Sequence, residues 1–419
     1  MAKKIILIAL LVAVIILVAG IIFFELDPEN TNVNYEPANT KNETDKTIRF
    51  DKNGKLKILH IADTHLNYDK HFDASVWVIA EACDVEKPDL VVLTGDNTHP
   101  NEDPEKTKKL INALMNIFES RKIPVAVTFG NHDSEGGPMT REDIMEYYKT
   151  FSCVISADNS ENFKNCATFN VPVLASDSDK VNFNLWVFDS GDYDEDEPRH
   201  YDRVRTEQIE WYKKTAAKLK KENDGKTVNS VVFQHIIVPE IYDVLKKSDS
   251  KQPYAIKHIY NEEEFYMFDS EQVNYGTLNE KPCPGYYNDG QFDALVETGD
   301  VLAMFTGHDH TNAFGVRNQN IDIYTSPMTR YKGLAYTTQY GYRVVEIDEN
   351  DTSTYKTRVE RLYDVFDFSY IKTAKDNGDK YSTRLAFELA VKGSVQEGFM
   401  KLYQSVVELI TGRQVTYPD

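Results

Sequence analysis

The sequence predicts a layered α/β domain carried behind one membrane-spanning helix. Three observations predict it: an uncharged run from Ile5 to Phe24, short Val/Ile/Phe-rich runs alternating with helical stretches up to about Asp348, and metal-binding residue types directly after five of those runs. Near-continuous apolar runs of strand length imply burial on both faces, and their alternation with helices is the pattern of a layered α/β fold.

The N-terminus carries Lys3 and Lys4, then twenty residues with nothing more polar than Gly20. At 1.5 Å per residue such a helix spans roughly 30 Å, the thickness of a bilayer core. The run is longer than a signal-peptide core of about 7–15 residues and no A-x-A-like site follows it, so residues 1–25 are expected to stay as a signal anchor. Positive charge before the run and Glu25, Asp27 and Glu29 after it place the N-terminus in the cytoplasm. The rest of the chain then faces outward or into a lumen as a single-pass membrane protein, or is secreted if the segment is cleaved.

Residues 26–46, rich in Asn, Thr, Pro and Glu, read as a linker. Residues 47–365 form the expected catalytic domain and 366–419 a C-terminal helical extension. Strands are expected at Leu56–Ala62, Leu90–Thr94, Val125–Phe129, Leu185–Phe188, Val231–Phe233 and Val301–Phe305, with later ones at Ile321–Ile323, Tyr342–Ile347 and Thr354–Leu362. Helices are expected at Ala74–Glu86, Glu105–Arg121, Arg141–Thr150, Glu207–Lys221 and Tyr381–Ile410.

With 419 residues, 41% of them apolar, the chain can bury a large core. Its net charge of -20, with an acidic cluster at Asp192, Asp194, Glu195, Asp196 and Glu197, argues against nucleic acid as a partner, because phosphate-backbone binding depends on clustered Lys and Arg. Nothing in the pattern sets an oligomeric state. The four cysteines, Cys83, Cys153, Cys166 and Cys283, lack C-x-x-C spacing and so do not suggest a zinc knuckle. Cys153 and Cys166 either pair in an oxidising compartment or stay as free buried thiols. Sequons at Asn42 and Asn350 are compatible with an extracytoplasmic domain.

The chemistry lies at the strand ends. The first strand delivers Asp63 and His65 in D-T-H, the second Asp96 and Asn97 in G-D-N, and the third Asn131, His132 and Asp133 in G-N-H-D. The fourth delivers Gln234 and His235, and the fifth His308 and His310 in G-H-D-H. Carboxyl ends of strands form the ligand crevice of α/β sheets, so these groups can converge. Singly, each motif reads as well as a turn or a satisfied core histidine; together and in order, they point to a metal site. Imidazole and carboxylate donors suit Zn, Fe, Mn or Ni. Two cations about 3.5–4 Å apart need a shared anionic ligand, and Asp96 is the natural bridge.

D-x-H, G-D-x, G-N-H-[DE], a middle His and G-H-x-H, complete and in order, resemble the signature of the calcineurin-like metallophosphoesterases from about Lys55 to Val345. The resemblance implies a four-layer α/β/β/α sandwich with two metal ions, one held by Asp63, His65, Asp96 and His310 and the other by Asp96, Asn131, His235 and His308. His132 would stabilise the transition state or protonate the leaving oxygen, with Asp133 as its orienting partner. Within the family the chain is similar to the purple-acid-phosphatase-like branch of fungi and plants, on N-L-W-V-F-D-S-G-D-Y at 184–193, on Gln234–His235 followed by Pro239 and Glu240, and on G-D-V-L-A-M-F-T-G-H-D-H at 299–310. It departs from the purple enzymes in having His99 where their iron-binding tyrosine stands, and in having His65. No purple charge-transfer band is therefore expected, and Fe, Zn and Mn all remain open.

The implied activity is hydrolysis of phosphate monoesters, on a phosphoprotein or a small phosphate ester, by a metal-activated water. The alternatives are phosphodiester hydrolysis of a nucleotide or lipid headgroup, and a metal-stabilised surface receptor without turnover. His99 and Tyr193, with Tyr286 and Tyr287, are the candidate substrate-binding walls, since loops between the strands must surround the metals.

Overall fold

The computed structural model describes residues 46–411 apart from 161, 253, 254, 270–272 and 336, together with Glu36 and Thr44. The expected anchor and most of the linker lie outside the described residues. Among the described residues no helix is long and apolar enough to cross a membrane.

In chain order the strands are β1 Lys55–Ile61, β2 Leu90–Thr94, β3 Val125–Thr128, β4 Phe169–Leu174, β5 Val181–Phe188, β6 Ser230–Gln234, β7 Leu245–Ser248 and β8 Ile256–Lys257. They continue with β9 Phe265–Phe268, β10 Val273–Thr277, β11 Val301–Thr306, β12 Ala313–Asn318, β13 Ile321–Thr325, β14 Gly341–Asp348 and β15 Lys356–Arg361. The α-helices are α1 Phe72–Glu86, α2 Pro104–Arg121, α3 Arg141–Tyr148, α4 Thr206–Glu222, α5 Gln291–Thr298, α6 Leu362–Val365, α7 Phe368–Asp376 and α8 Lys380–Thr411.

Local chemistry sets the helix ends. The Asp103 carboxylate accepts the Glu105 amide at 3.0 Å ahead of Pro104, capping α2, and Thr140 and Asp143 form a reciprocal capping box on α3. Helix α1 stops at Lys87, in the left-handed region at φ 50° and followed by Pro88.

Two sheets carry the domain. One has the order β15-β14-β1-β2-β3, the other β10-β12-β13-β11-β6-β5-β4. β1, β2 and β3 are parallel, as are β5, β6, β11 and β13, so their carboxyl ends lie at one pole. Alternation within β1 shows why the runs carry apolar residues on both faces. Leu56 and Ile58 join Phe183, Leu185, Val231 and Phe233 between the sheets, whereas Leu59 and Ile61 face Val78, Ile79 and Leu114 of α1 and α2. On the far side Trp186, Val232 and Met304 pack with Ile209 and Tyr212 of α4 and Leu295 of α5. The result is four layers, helix, sheet, sheet, helix. Each fully buried aliphatic side chain contributes about 1.5–3 kcal/mol.

Several elements have no counterpart in the sequence reading. β4 contains Pro172, which is tolerated because the strand is at a sheet edge, where its outer side bonds only through Leu174, to Ile48 and Phe50. β12 carries Gly315, whose missing side chain makes room for the Tyr324 ring. β7, β8 and β9 form a separate three-stranded sheet too short to show periodicity, and α5 spans only eight residues. The C-terminal helices are not a loose appendage. Leu385, Ala386 and Leu389 of α8 enter the same core as α1, and Trp77 Nε1 donates to Ser382 Oγ at 2.8 Å. All four cysteines are free thiols.

Candidate metal centre

The loops after β1, β2, β3, β6 and β11 meet at the pole formed by the strands' carboxyl ends. Four of the eight non-glycine residues with positive φ among the described residues are there: Asp63 (55°), His65 (42°), Asp96 (51°) and His308 (73°). Such backbone costs of order 1–3 kcal/mol per residue and persists only where the surroundings hold it. Here they do. His65 N–H donates to Asp96 O at 2.8 Å, Asp63 N–H to Gly95 O at 3.2 Å and Gly307 N–H to His235 O at 3.1 Å. The motif glycines allow the loops to interlock: a Cβ on Gly95, at φ 98°, would sit 2.0 Å from Gly130 N, and one on Gly130 would sit 2.2 Å from Asp96 Oδ1.

Each carboxylate uses one oxygen on the backbone and turns the other inward. Asp63 Oδ2 accepts the His308 amide at 2.9 Å and Asp96 Oδ1 the His132 amide at 2.8 Å. Asp63 Oδ1 and Asp96 Oδ2 are buried without a hydrogen-bond partner. Asp96 Oδ2 lies 3.4 Å from His65 Nε2 and 3.3 Å from His235 Nε2. His65 Nε2 is 2.9 Å from His310 Nε2, and Asp63 Oδ1 is 3.8 Å from each. His235 Nε2 is 3.3 Å from Asn131 Oδ1 and 3.2 Å from His308 Nδ1.

Donors held about 2.1 Å from one cation at tetrahedral to octahedral angles stand about 3.0–3.4 Å from each other, so most of these separations are those of a ligand shell. The donor atoms of Asp63, His65, Asp96 and His310 fall within 4.8 Å of one another, and so do those of Asp96, His235 and His308. Asp96 is common to both groups. Unpartnered buried oxygens facing converging imidazoles fit two cations. Cys283, His308 and Asp309 also fall within 4.8 Å, but both Asp309 oxygens are engaged, by Cys283 N–H and by Asn312 Nδ2, each at 3.2 Å.

The neighbours fix which nitrogens face inward. His235 Nδ1 donates to Thr94 O at 3.0 Å, which turns Nε2 inward toward Asp96 and Asn131. His65 Nδ1 meets His99 Nε2 at 2.8 Å. Burial pulls His65 and His308 well below the ordinary histidine range and His310 down to about 4. Burial is also the largest single influence on His235, but the carboxylates of Asp96, Asp63 and Asp133 together outweigh it and raise that imidazole to about 9. Burial likewise pushes Asp63 up to about 7.

The structure moves the role expected of Asp133 and places each of the expected wall residues. Asp133 does not face His132: its oxygens accept the amides of Asp96 (2.7 Å), Gly130 (2.8 Å), Asn97 (2.9 Å) and Thr98 (3.3 Å), tying two loops together. Glu135, which the motif reading passed over, meets His132 Nδ1 instead. His99 is lodged against His65 and 5.2 Å, ring to ring, from His132. Tyr193 does line the site, its hydroxyl 3.1 Å from Asn131 Nδ2 and its ring stacked on Tyr201, which in turn meets His308 edge-on at 4.4 Å. Tyr286 stacks on His200 at 3.8 Å, and Tyr287 lies beneath the Arg203 guanidinium. Arg330, buried and donating to His65 O at 2.6 Å, had no signal in the sequence, because 265 residues separate the pair.

The calcineurin-like phosphoesterase family model matches residues 56–312, an interval that includes all these loops. The chain belongs to the calcineurin-like phosphoesterase family. Among its relatives, a probable inactive purple acid phosphatase 29 of Arabidopsis thaliana is 28% identical over 64% of this chain and 70% of its own length. Phosphatase DCR2 of Saccharomyces cerevisiae is 25% identical over 64% of this chain and 46% of its own. A solved dimetal phosphatase from Danio rerio superposes with a TM-score of 0.46 at 12% identity, covering 73% of this calcineurin-like chain and 98% of the other.

Proposed function

We propose that this chain is a binuclear metal-dependent phosphoesterase that hydrolyses phosphate monoesters. The observation that carries the reading is Asp96 Oδ2, buried, unpartnered, and 3.3–3.4 Å from one imidazole of each donor group. Asp63, His65, Asp96 and His310 would hold one cation, and Asp96, Asn131, His235 and His308 the other. When bound, the pair supplies Lewis-acid activation of a water and of the phosphoryl group. Two divalent cations on two carboxylates leave a formal surplus of two positive charges, which a monoester dianion neutralises and a diester monoanion only halves.

His132 is the proton donor in this reading. Its Nδ1 is taken by Glu135, which leaves Nε2 for the departing oxygen. Tyr193 and Tyr201 would shape the wall beside it. The Arabidopsis relative, a probable inactive purple acid phosphatase, favours a second reading in which this chain binds metal without turnover. Against that, each donor type of the two groups and His132 are present in this chain.

We also propose that residues 1–25 anchor the protein, with the catalytic domain on the extracellular or lumenal side. Twenty uncharged residues after two lysines support this. Retention in the membrane pellet after alkaline carbonate extraction is the expected result; release into the supernatant would overturn it.

The activity is tested with the full chain in detergent, assayed on p-nitrophenyl phosphate and bis-p-nitrophenyl phosphate, with metal content measured on the same sample. Monoester hydrolysis that disappears with a chelator and returns with Mn, Zn or Fe supports the proposal. A preference for the diester would replace it with the diesterase reading. Two bound metals without turnover of either ester would favour the non-catalytic one.

A further inference from the structure

Glu135 lies outside both donor groups, yet its carboxylate closes a chain of contacts around His132. Oε2 meets His132 Nδ1, and Oε1 accepts from the Tyr193 hydroxyl at 3.3 Å. That hydroxyl accepts from Asn131 Nδ2 at 3.1 Å. One carboxylate thus joins the proposed proton donor, the proposed substrate wall and, through Tyr193, a candidate metal ligand. A turn folds it back, since Glu135 N–H donates to His132 O at 3.3 Å. Asp133 cannot take this place because four backbone amides occupy its oxygens.

We propose that Glu135 is the positioning residue for leaving-group protonation, a role that rests on the phosphoesterase reading above. A carboxylate at Nδ1 fixes the imidazole tautomer and ring orientation. His132 is thereby held with Nε2–H directed to the ester oxygen. In the step, a water oxygen forms the new bond to phosphorus and gives one proton to solvent. The bond from phosphorus to the ester oxygen breaks, its electron pair stays on that oxygen, and the Nε2 proton joins it. Solvent then returns a proton to His132.

Protonation matters most when the leaving oxygen is strongly basic, and this separates positioning from general structural support. The test uses the full-length protein in detergent with Glu135→Gln and Glu135→Ala, loaded with Mn²⁺. Turnover is measured on glycerol phosphate, a poor leaving group, and p-nitrophenyl phosphate, a good one. The expected result is a fall in kcat on the order of 10- to 100-fold on glycerol phosphate, a change of only about threefold on p-nitrophenyl phosphate, and unchanged metal content. Proton NMR of the metal-free protein with ¹⁵N-labelled histidine supplies a readout independent of turnover. A low-field Nδ1–H resonance that is absent from both His132→Ala and Glu135→Gln is expected.

Equal losses on both esters, or lower metal content in Glu135→Gln, would make Glu135 a structural brace and overturn the proposal. Persistence of the resonance in Glu135→Gln would overturn it as well. If the unaltered protein hydrolyses neither ester, the phosphoesterase reading fails and the role in protonation fails with it, while the NMR result still shows whether Glu135 holds the ring.

Discussion

Asp133 Oδ2 accepts the Asp96 amide at 2.7 Å and, from the other side, the Gly130 amide at 2.8 Å. A single buried carboxylate therefore sets the distance between the loop carrying the shared candidate ligand and the loop carrying Asn131 and His132. Losing the acceptor of a buried amide costs about 1–3 kcal/mol per group, so Asp133→Ala should lower the unfolding free energy in urea by about 3 kcal/mol or more. Asp133→Asn keeps one acceptor oxygen and should lose less. Metal affinity should fall with both variants. Unchanged stability in Asp133→Ala would show that the loops hold their spacing without it.

Binding of two cations should appear as stability. A ligand at about 100 times its Kd adds about 2.7 kcal/mol per site, so Mn²⁺ or Zn²⁺ should raise Tm and a chelator should reverse the shift. Asp96→Ala should remove most of that shift, because its Oδ2 faces both donor groups. Asn131→Ala touches one group and should keep part of it. Thermal unfolding with parallel metal analysis decides this; an Asp96→Ala protein that still held two metals per chain would contradict the shared-ligand geometry.

The sequence made the donor residues legible because each follows a short, largely apolar run, and carboxyl ends of strands are where distant segments of an α/β fold converge. β1, β2, β5 and β11 needed only their composition. β4 and β12 hid behind Pro172 and Gly315, residues that local propensity counts against a strand and that edge position or close packing permits. The misassigned partner of His132 has a similar origin. Adjacency in G-N-H-D suggested Asp133, but consecutive side chains diverge, and the residue three positions on, across a turn, is the one that reaches back. Arg330 and Tyr201 touch the site through tertiary packing alone.

Replacing His132 should separate chemistry from metal binding. Its ring is partly exposed and engages Glu135, while only its backbone amide reaches Asp96. General-acid assistance is worth about 10²–10⁴-fold, so His132→Ala should lose about 10²-fold or more in kcat on an alkyl phosphate while keeping its metal content. Normal turnover by this variant would remove the leaving-group role.

His60 offers a pH test away from the metal ligands. It is fully buried between the sheets, edge-on to Phe233 at 5.2 Å, with Nε2 2.7 Å from Thr94 Oγ1 and Nδ1 2.9 Å from Ser326 Oγ. Burial, with a further push from the Arg343 charge, holds it well below the usual 6.5. The unfolded chain therefore takes up a proton near pH 6.5 that the folded chain refuses, so the unfolded state binds more protons and stability falls as pH drops below that point. One such proton contributes a slope of up to about 1.4 kcal/mol per pH unit. Above pH 7.5 His60 should add no slope. Urea unfolding between pH 8 and pH 5 should show a flatter acid limb in His60→Gln than in the unaltered protein, whatever the variant costs at pH 8. Parallel limbs would mean that His60 is protonated in the fold, with Thr94 and Ser326 both accepting from the ring.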